Sequence, residues 1–586
     1  MKKILTVALC LFTLTMWSQS WQWAVRSGGT NSQMIAKSIV SDASGNTYVA
    51  GWFVGTVVIG DNLPVTSSTP NEADGYVVKY SSSGNVMWFR IISGAGIQVA
   101  TGIALDPFNN VCVTGYNSVG ANFSGVVVLS ALVGYQNGFI VKYSNAGAVT
   151  WAKKIGDAPV IAPQTSNTIF ANGIAVDAMG YMYVTGSYNS KIQFGVNIRQ
   201  AAGGAGDWDV FVSKCDNAGN VSWLASAGGT SVDESNSIAV TTNGTTFITG
   251  RFFSSTITLG ALTLNKTAGW LNDMFVANYS NAGTATWAVK STGTTTPPSI
   301  GMACGNGIAT DGSSCYVTGY FTANMNLGSA LLSAPGTGAD NIFIAKYTSN
   351  GSLGWAKAEG SSAGSDVGKC IAYDVSDGRI YSAGYFTGTT RFNNGLVAVT
   401  AVGSFDAYFS KYEAATGNFL QLEHAATTSN NVVPNSICKG ISGTHTFHSC
   451  GYYGGFPTIF YHTLSSNAGL VLSGYTAGME AAFVAKYTFP TANRMALNVE
   501  EAHAVTVYPV PATDNITIAC TGVLHDNVVM TLTDINGREL MTVLVAAESG
   551  NAQTSFDVSS LAAGIYFVSV IDGDQREMKK IIVGRE

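Results

Sequence analysis

Acidic side chains recur along this chain at fixed places, and acids are where hydrolytic or metal chemistry would be sought first. Asp42, Asp106, Asp177, Asp311 and Asp374 stand in short polar turns, and Asp74, Asn137, Asp209, Asp273, Asn341 and Asp406 each precede an apolar run. Acid–base catalysis needs a single constellation of unlike groups whose environments push their pKa values apart. One acid repeated at the same place in each copy of a repeat is instead what turn chemistry produces, with carboxylates accepting backbone N–H groups. The stretch "SDASGN" also lacks the dense alternating carboxylates of a calcium loop.

Other reactive types are sparse. His445 and His448 have HxxH spacing in "THTFHSC", but on a strand residues three apart face opposite sides, which opposes a shared metal. Beyond the N-terminal leader the cysteines are Cys112, Cys215, Cys304, Cys315, Cys370, Cys438, Cys450 and Cys520, with no CxxC pair, so structural zinc is not expected. Cys438 and Cys450 are close enough in sequence to pair across one hairpin. H-E-x-x-H does not occur. No catalytic residue, cofactor-binding residue or metal ligand is therefore assigned, and no cofactor is implied.

The elements that carry these residues follow from composition and repetition. Charged residues make up 11% of the 586, Gly contributes 67, and the formal charge is −6. Low charge with abundant Gly, Ser, Thr and aromatics suits short strands and tight turns. The chain has no basic run, so nucleic acid is not an expected partner. Three landmarks recur: a strand ending at Gly51, Gly115, Gly186, Gly250, Gly319, Gly384 and Gly451; the segments "DGYVVKY", "NGFIVKY", "DVFVSKC", "DMFVANY", "NIFIAKY", "DAYFSKY" and "AAFVAKY"; and Trp88, Trp151, Trp223, Trp287 and Trp355, with Phe419 taken as the sixth member. Each copy holds four strand signals, which predicts a seven-bladed β-propeller over residues 21–490. The seventh copy has no tryptophan strand of its own. The N-terminal "WQWAVRSGG" is expected to supply it, with Trp23 equivalent to Trp88 and Trp151, and so to close the ring. The tryptophan row reads as packing between blades. Trp52, Tyr116, Tyr320, Tyr385 and Tyr452, each just after the strand-ending Gly, are candidates for a sugar-binding face.

The motifs "DAMGYMYVTG", "FIVKY" and "GAVTW" resemble the bacterial β-propeller repeats called SBBP, a resemblance that implies fold rather than function. Before the repeats, "MKKILTVALCLFTLTMWSQS" reads as a signal peptide over residues 1–20, and no transmembrane span is expected in the mature chain. After them, 491–503 reads as a linker and 504–586 as six or seven strands of a small β-sandwich. That last stretch is similar to the type A C-terminal sorting domain of the type IX secretion system of Bacteroidetes. The motif residues are Tyr508, Pro509, Pro511, Asp534, Gly537, Arg538, Gly564, Tyr566, Lys579 and Lys580. The resemblance implies export through the periplasm to the outer surface or the medium, with the secretion machinery as a partner.

The connections between second and third strands, and between units, are long and variable, as in "DAPVIAPQTSNTIFAN" and "NMNLGSALLSAPGTGAD". Variable loops on a rigid scaffold are where binding is expected. The functional reading is a secreted or surface-attached binding or adhesion protein for a glycan or protein ligand. The alternative is an extracellular glycan-cleaving hydrolase or lyase on the same scaffold.

Overall fold

The computed structural model describes residues 20–488 and 504–584, apart from 30, 60–63, 131–134, 157–166, 204–206, 294–299, 336–337, 428–429, 442–444, 455–457, 462–467, 473–479, 522–526, 536–537, 548–550 and 573–574. The signal-peptide assignment apart from Ser20, the linker assignment and Gly537 fall outside these residues. The described residues form strands and turns with no helix, and the chain divides into two compact units, 1–491 and 492–586.

In the first repeat Gln33–Ser41, Thr47–Val54, Asp74–Tyr80 and Val86–Ser93 pair in that order, all antiparallel. The same order recurs in the copies that begin at Gln98–Leu105, Asn167–Val176, Asp233–Val240, Ala303–Thr310 and Val367–Asp374. In the last copy Val432–Lys439, Thr446–Gly454 and Glu480–Thr488 pair in sequence, and the fourth strand is Ser20–Gly28 from the other end of the chain. Trp23 lies opposite Lys486, as Trp88 lies opposite Lys79 and Trp151 opposite Lys142.

The same register corrects the sixth member of the tryptophan row. Phe419 pairs with Tyr412, the place Val86 takes opposite Tyr80, and it is Gln421 that lies opposite Lys411. The fourth strand of each copy carries this bulge, which skips one residue between the two pairs, so Gln421 follows Phe419 by two residues as Trp88 follows Val86.

Burial explains why the third strands read as continuous apolar runs. All seven residues of Asp74–Tyr80 are buried, because both faces of each sheet pack on neighbours. The apolar cores accordingly lie between copies. One joins Tyr48, Ala50 and Val77 of the first to Ile103, Val113 and Phe139 of the second. Another joins Met34, Val49 and Tyr76 of the first to Cys450, Ala482 and Val484 of the last. The first strand of each copy packs on that of the next, and Val432–Lys439 packs back on Gln33–Ser41.

Four strands per copy is an undercount. The connection between second and third strands, expected as a variable loop, folds into a further hairpin, such as Gly120–Phe123 with Val127–Ser130, or Thr256–Leu259 with Leu262–Asn265. Five of these hairpins extend the outer strand of the preceding copy, as where Asn122 pairs with Ser93, Leu259 with Ala227, and Ile59 with Ser27; Lys191–Phe194 with Asn197–Gln200 and Thr389–Phe392 with Val397–Thr400 are separate two-stranded sheets. The signal was present as an alternating segment closed by Gly or Asn, for example "ITLGALTLN". The hairpin covers what would otherwise be an open sheet edge.

The C-terminal unit is a two-sheet sandwich. Ala504–Tyr508, Asn515–Thr521 and Asn551–Asp557 form one sheet; Glu539–Ala546, Asn527–Thr533, Gly564–Asp572 and Gln575–Val583 form the other. Ile516, Ile518, Met530, Leu532, Val568 and Ile581 fill the space between them.

Candidate functional site

The turn acids do structural work. Asp42 accepts the N–H groups of Ser44 and Asn46 at 2.9 and 3.0 Å, and its other oxygen accepts the Tyr48 hydroxyl at 3.0 Å. Asp177 repeats the arrangement with Met179, Tyr181 and Tyr183, and Asp106 repeats the two N–H bonds while its other oxygen meets Lys142 Nζ at 2.7 Å. The acids that open third strands hold the returning hairpins: Asp74 accepts from Ser68 N, Asp209 from Ala202 N, Asp273 from Thr267 N and Asp406 from Val402 N, at 2.6–2.8 Å. Burial pushes the Asp209 carboxyl up to about 7, with Asp233 adding to the rise.

The tryptophans bind each copy to the next. The indole Nε1 groups of Trp88, Trp151, Trp223, Trp287 and Trp355 donate to the carbonyls of Asn145, Asn217, Asn281, Ser349 and Ala414, each in the third-to-fourth turn of the following copy. The rings rest on a glycine of that turn. At Gly147, with φ of +81°, a Cβ would meet Trp88 Cδ2 at 2.8 Å, so close approach and left-handed backbone both require Gly.

The two histidines part company. His445 Nδ1 sits 2.8 Å from Asp377 Oδ2, while His448 is buried beside Trp23. The hairpin pairing proposed for Cys438 and Cys450 does not occur. Cys438 lies opposite His448 and Cys450 opposite Ser436, and both thiols are free.

A different set of residues converges. Every first strand carries a bulge, and the bulged residues are Lys37, Thr101, Asn172, Asn236, Asn306, Lys369 and Asn435. A bulge leaves one residue out of the ladder and re-aims its side chain. Five of the seven side chains donate to the backbone carbonyl that precedes the next bulge. Thr101 Oγ1 bonds Ala171 O; Asn172, Asn236, Asn306 and Asn435 Nδ2 bond Ser235, Gly305, Gly368 and Ala36 O at 2.8–3.0 Å. The last of these joins residues 399 apart in sequence by the same bond that joins neighbours.

These seven residues line two cavities. The larger, of about 360 Å³, also holds Glu234, Arg251, Cys304 and Tyr320. The smaller, of about 200 Å³, is walled by the residues that follow each bulge, including Ser38, Gly102, Ile174 and Ile437. The first strands crowd together here: a Cβ on Gly307 would lie 2.9 Å from Cys370 Cα. Arg251 Nε donates to Glu234 Oε2 at 2.7 Å. Burial pushes the Cys304 thiol up to about 11 and the Tyr320 phenol to about 12. Burial lowers Lys37, and the charge of Lys369 lowers it further; burial likewise lowers Lys369.

Of the five aromatics proposed for a sugar face, Tyr320 lines the larger cavity. Tyr116 packs edge-on against Phe170, and Tyr385 against Phe405. The bulge ring itself was missed by reading the sequence for chemistry, although its signal recurs seven times: "AKSI", "ATGI", "ANGI", "SNSI", "GNGI", "GKCI" and "PNSI". A polar residue between small ones before Ile looks unremarkable in any one copy.

In the C-terminal sandwich the sorting-motif residues are divided between the sheets: Tyr508 ends a strand of the three-stranded sheet, while Gly564, Tyr566, Lys579 and Lys580 lie in the four-stranded one. Thr533, next to Asp534, pairs with Phe567; Gly564 pairs with Val583; and Ala512 bridges to Val583. Asp534 Oδ1 accepts Arg538 N at 3.0 Å, and the Tyr566 hydroxyl donates to Ala562 O at 2.8 Å. Tyr508, Pro509, Pro511, Lys579 and Lys580 are exposed.

Residues 506–584 match the secretion system C-terminal sorting domain. Over 553 aligned residues the chain is 24% identical to an uncharacterised WD repeat-containing protein of Acanthamoeba polyphaga mimivirus. The match covers 79% of this chain, and the chain spans 38% of that relative's length. Among solved structures, a puromycin hydrolase is 10% identical with a TM-score of 0.35, covering 83% of this chain and 58% of its own. The NanB sialidase of Streptococcus pneumoniae is 8% identical with a TM-score of 0.26, covering 92% and 95%. Scores this low do not bear on the chemistry of the present chain. No helix among the described residues is long and apolar enough to cross a membrane. Residues 506–584 are a type IX secretion sorting domain, which engages that secretion machinery, and the protein is exported to the cell surface or released.

Proposed function

We propose that residues 21–490 form a seven-bladed β-propeller of the SBBP type, closed by the N-terminal strand, and that the exported protein is a non-catalytic binding or adhesion protein for an extracellular glycan or protein. The observation that carries the reading is the ring of bulged residues. One polar side chain from each copy lines a shared cavity, and four of the seven are Asn. Amides on a rigid frame give directional hydrogen bonds without a charge to discharge, which suits recognition.

The lining does not favour glycoside hydrolysis. Glycosidases of the usual kind need two carboxyl groups flanking the bond. Glu234 is the one carboxylate among the residues that line the larger cavity, and it is engaged by Arg251. Cys304 and Tyr320 stay protonated near neutral pH, so neither is poised as a nucleophile or base. A glycan and matrix-protein array probed with the mature protein, followed by a turnover assay on each hit, tests the proposal. Reproducible binding without turnover is expected. Cleavage abolished by changing one carboxylate would overturn it in favour of the enzyme.

A further inference from the structure

Two members of the bulge ring depart from the others. Where Thr and Asn satisfy the next copy's carbonyl, Lys37 and Lys369 have no hydrogen-bond or ion-pair partner among the described residues, and both line both cavities. They belong to the first and sixth copies and flank Asn435 of the seventh. Glu480 is the acid nearest in effect to Lys37, and it already accepts from Gln33 Nε2 at 2.6 Å. The Arg251 charge is answered by Glu234. The cavity therefore presents two unanswered ammonium groups in a molecule whose formal charge is −6. Unpaired cations withdrawn from water are costly, and repulsion between them adds to the cost. The fold itself has no need of them, since Asn completes the ring at four equivalent places.

The remaining lining defines the rest of the ligand. Because Asn172, Asn236 and Asn435 donate through Nδ2 to the next copy, their Oδ1 atoms are left as acceptors with no protein donor among the described residues. A ligand that satisfies the site must offer negative charge to the lysines and hydroxyl donors to the amides. A volume of about 360 Å³ falls at the small end of ligand pockets, which run from roughly 300 to 1,000 Å³. Sulfate would answer the lysines but, with no O–H to donate at neutral pH, would leave the amide oxygens unmet.

We propose that the axial cavity binds an acidic sugar, a hydroxylated carboxylate of monosaccharide size. Its carboxylate lies between Lys37 and Lys369, and its hydroxyls donate to the ring amides. This rests on the binding reading above and narrows its ligand to one chemical class.

Isothermal titration of the full exported chain with glucuronate, galacturonate, glucose and inorganic sulfate tests it. A uronate should bind saturably and at least tenfold more tightly than glucose, which lacks the carboxylate, or sulfate, which lacks hydroxyl donors. The double variant Lys37→Asn, Lys369→Asn should lose at least tenfold in uronate affinity while its thermal midpoint stays level or rises. Lys37→Arg with Lys369→Arg, which keeps both charges, should retain binding. Absence of uronate binding, sulfate binding as tight as uronate, or an affinity unmoved in the Asn variant would each overturn the inference. So would a lowered midpoint in the Asn variant together with lost binding in the Arg variant, since the lysines would then be structural. An array hit that binds the Asn variant as well as the native protein would overturn the acidic-sugar site and leave the binding reading standing. A uronate that binds here and is also cleaved would overturn the non-catalytic reading alone.

Discussion

The indole Nε1 of Trp23 donates to the carbonyl of Ser82 at 3.0 Å. This is the bond that Trp88, Trp151, Trp223, Trp287 and Trp355 make to the turn of the next copy, here made by a residue from the first strand of the chain to the first copy. The Trp23 ring rests on Gly84 as Trp88 rests on Gly147.

Trp23 should therefore stabilise the whole repeat unit. Replacing it by Ala should cost about 2–3 kcal/mol, below the full cavity penalty because the ring is half-exposed, and Trp23→Phe about 1 kcal/mol for the lost hydrogen bond. Urea unfolding of the exported chain measures both. A midpoint unmoved by Trp23→Ala would show that the terminal strand is dispensable.

Gln421 occupies the tryptophan place in the sixth copy, facing a seventh copy whose third and fourth strands come from opposite ends of the chain. No third-to-fourth turn exists there to accept an indole N–H. Gln421 Nε2 instead donates to Glu423 Oε1 at 2.8 Å. Gln421→Trp should consequently give no stabilisation and should lose about 1 kcal/mol with that bond. A gain in the unfolding midpoint would contradict this account of the gap in the row.

Asp209 supplies a pH dependence with a definite sign. Its folded pKa of about 7 exceeds the unfolded value of 3.8, so the folded state holds the proton more tightly. Its contribution is fully present below about pH 4 and is lost as pH rises through 7. Asn137 and Asn341 occupy the same place in other copies, so the scaffold accepts Asn. Asp209→Asn should match the native protein at pH 4 and exceed it by on the order of 1–2 kcal/mol at pH 8. Equal stability at both pH values would refute the shift.

His448 acts in the opposite direction. Burial lowers it to about 3, whereas the unfolded chain protonates near 6.5. Stability should fall as pH drops from about 6.5 toward 3, and His448→Phe should flatten that part of the profile. Thermal melts across pH 4–7 report it.

Export should separate from folding within the sorting domain. Tyr566 is buried and bonded through its hydroxyl, so Tyr566→Ala should destabilise the sandwich by about 3 kcal/mol and reduce export as a consequence. Lys579→Gln with Lys580→Gln touches exposed positions and should leave the melting curve unchanged while protein accumulates in the periplasm. Removing 504–586 should trap all of it there. Cell fractionation decides, and normal surface delivery of the truncated chain would contradict the sorting role.

Much of the molecule was legible without coordinates because its signals are local or repeated. Strand alternation, turn residues and the returning "VKY" and Trp landmarks require only neighbours in sequence, and the sorting motifs lie in order at the chain end. The place of Trp23 was readable because one copy lacked a strand that the N-terminus had to spare.

Registers and convergence were not legible. Phe419 is the nearest aromatic to the expected place, yet it stands two residues before it, where the first copy carries Val86. The hairpins of the second-to-third connections read as free loops in sequence because most of them pair with the copy before them rather than with their own. Lys37 and Lys369 stand 332 residues apart and share a cavity only because every first strand is brought to one axis. The sequence determined the units and the residues at each position within them; the tertiary structure alone decided which equivalent positions face one another, since that depends on how the copies pack around the axis.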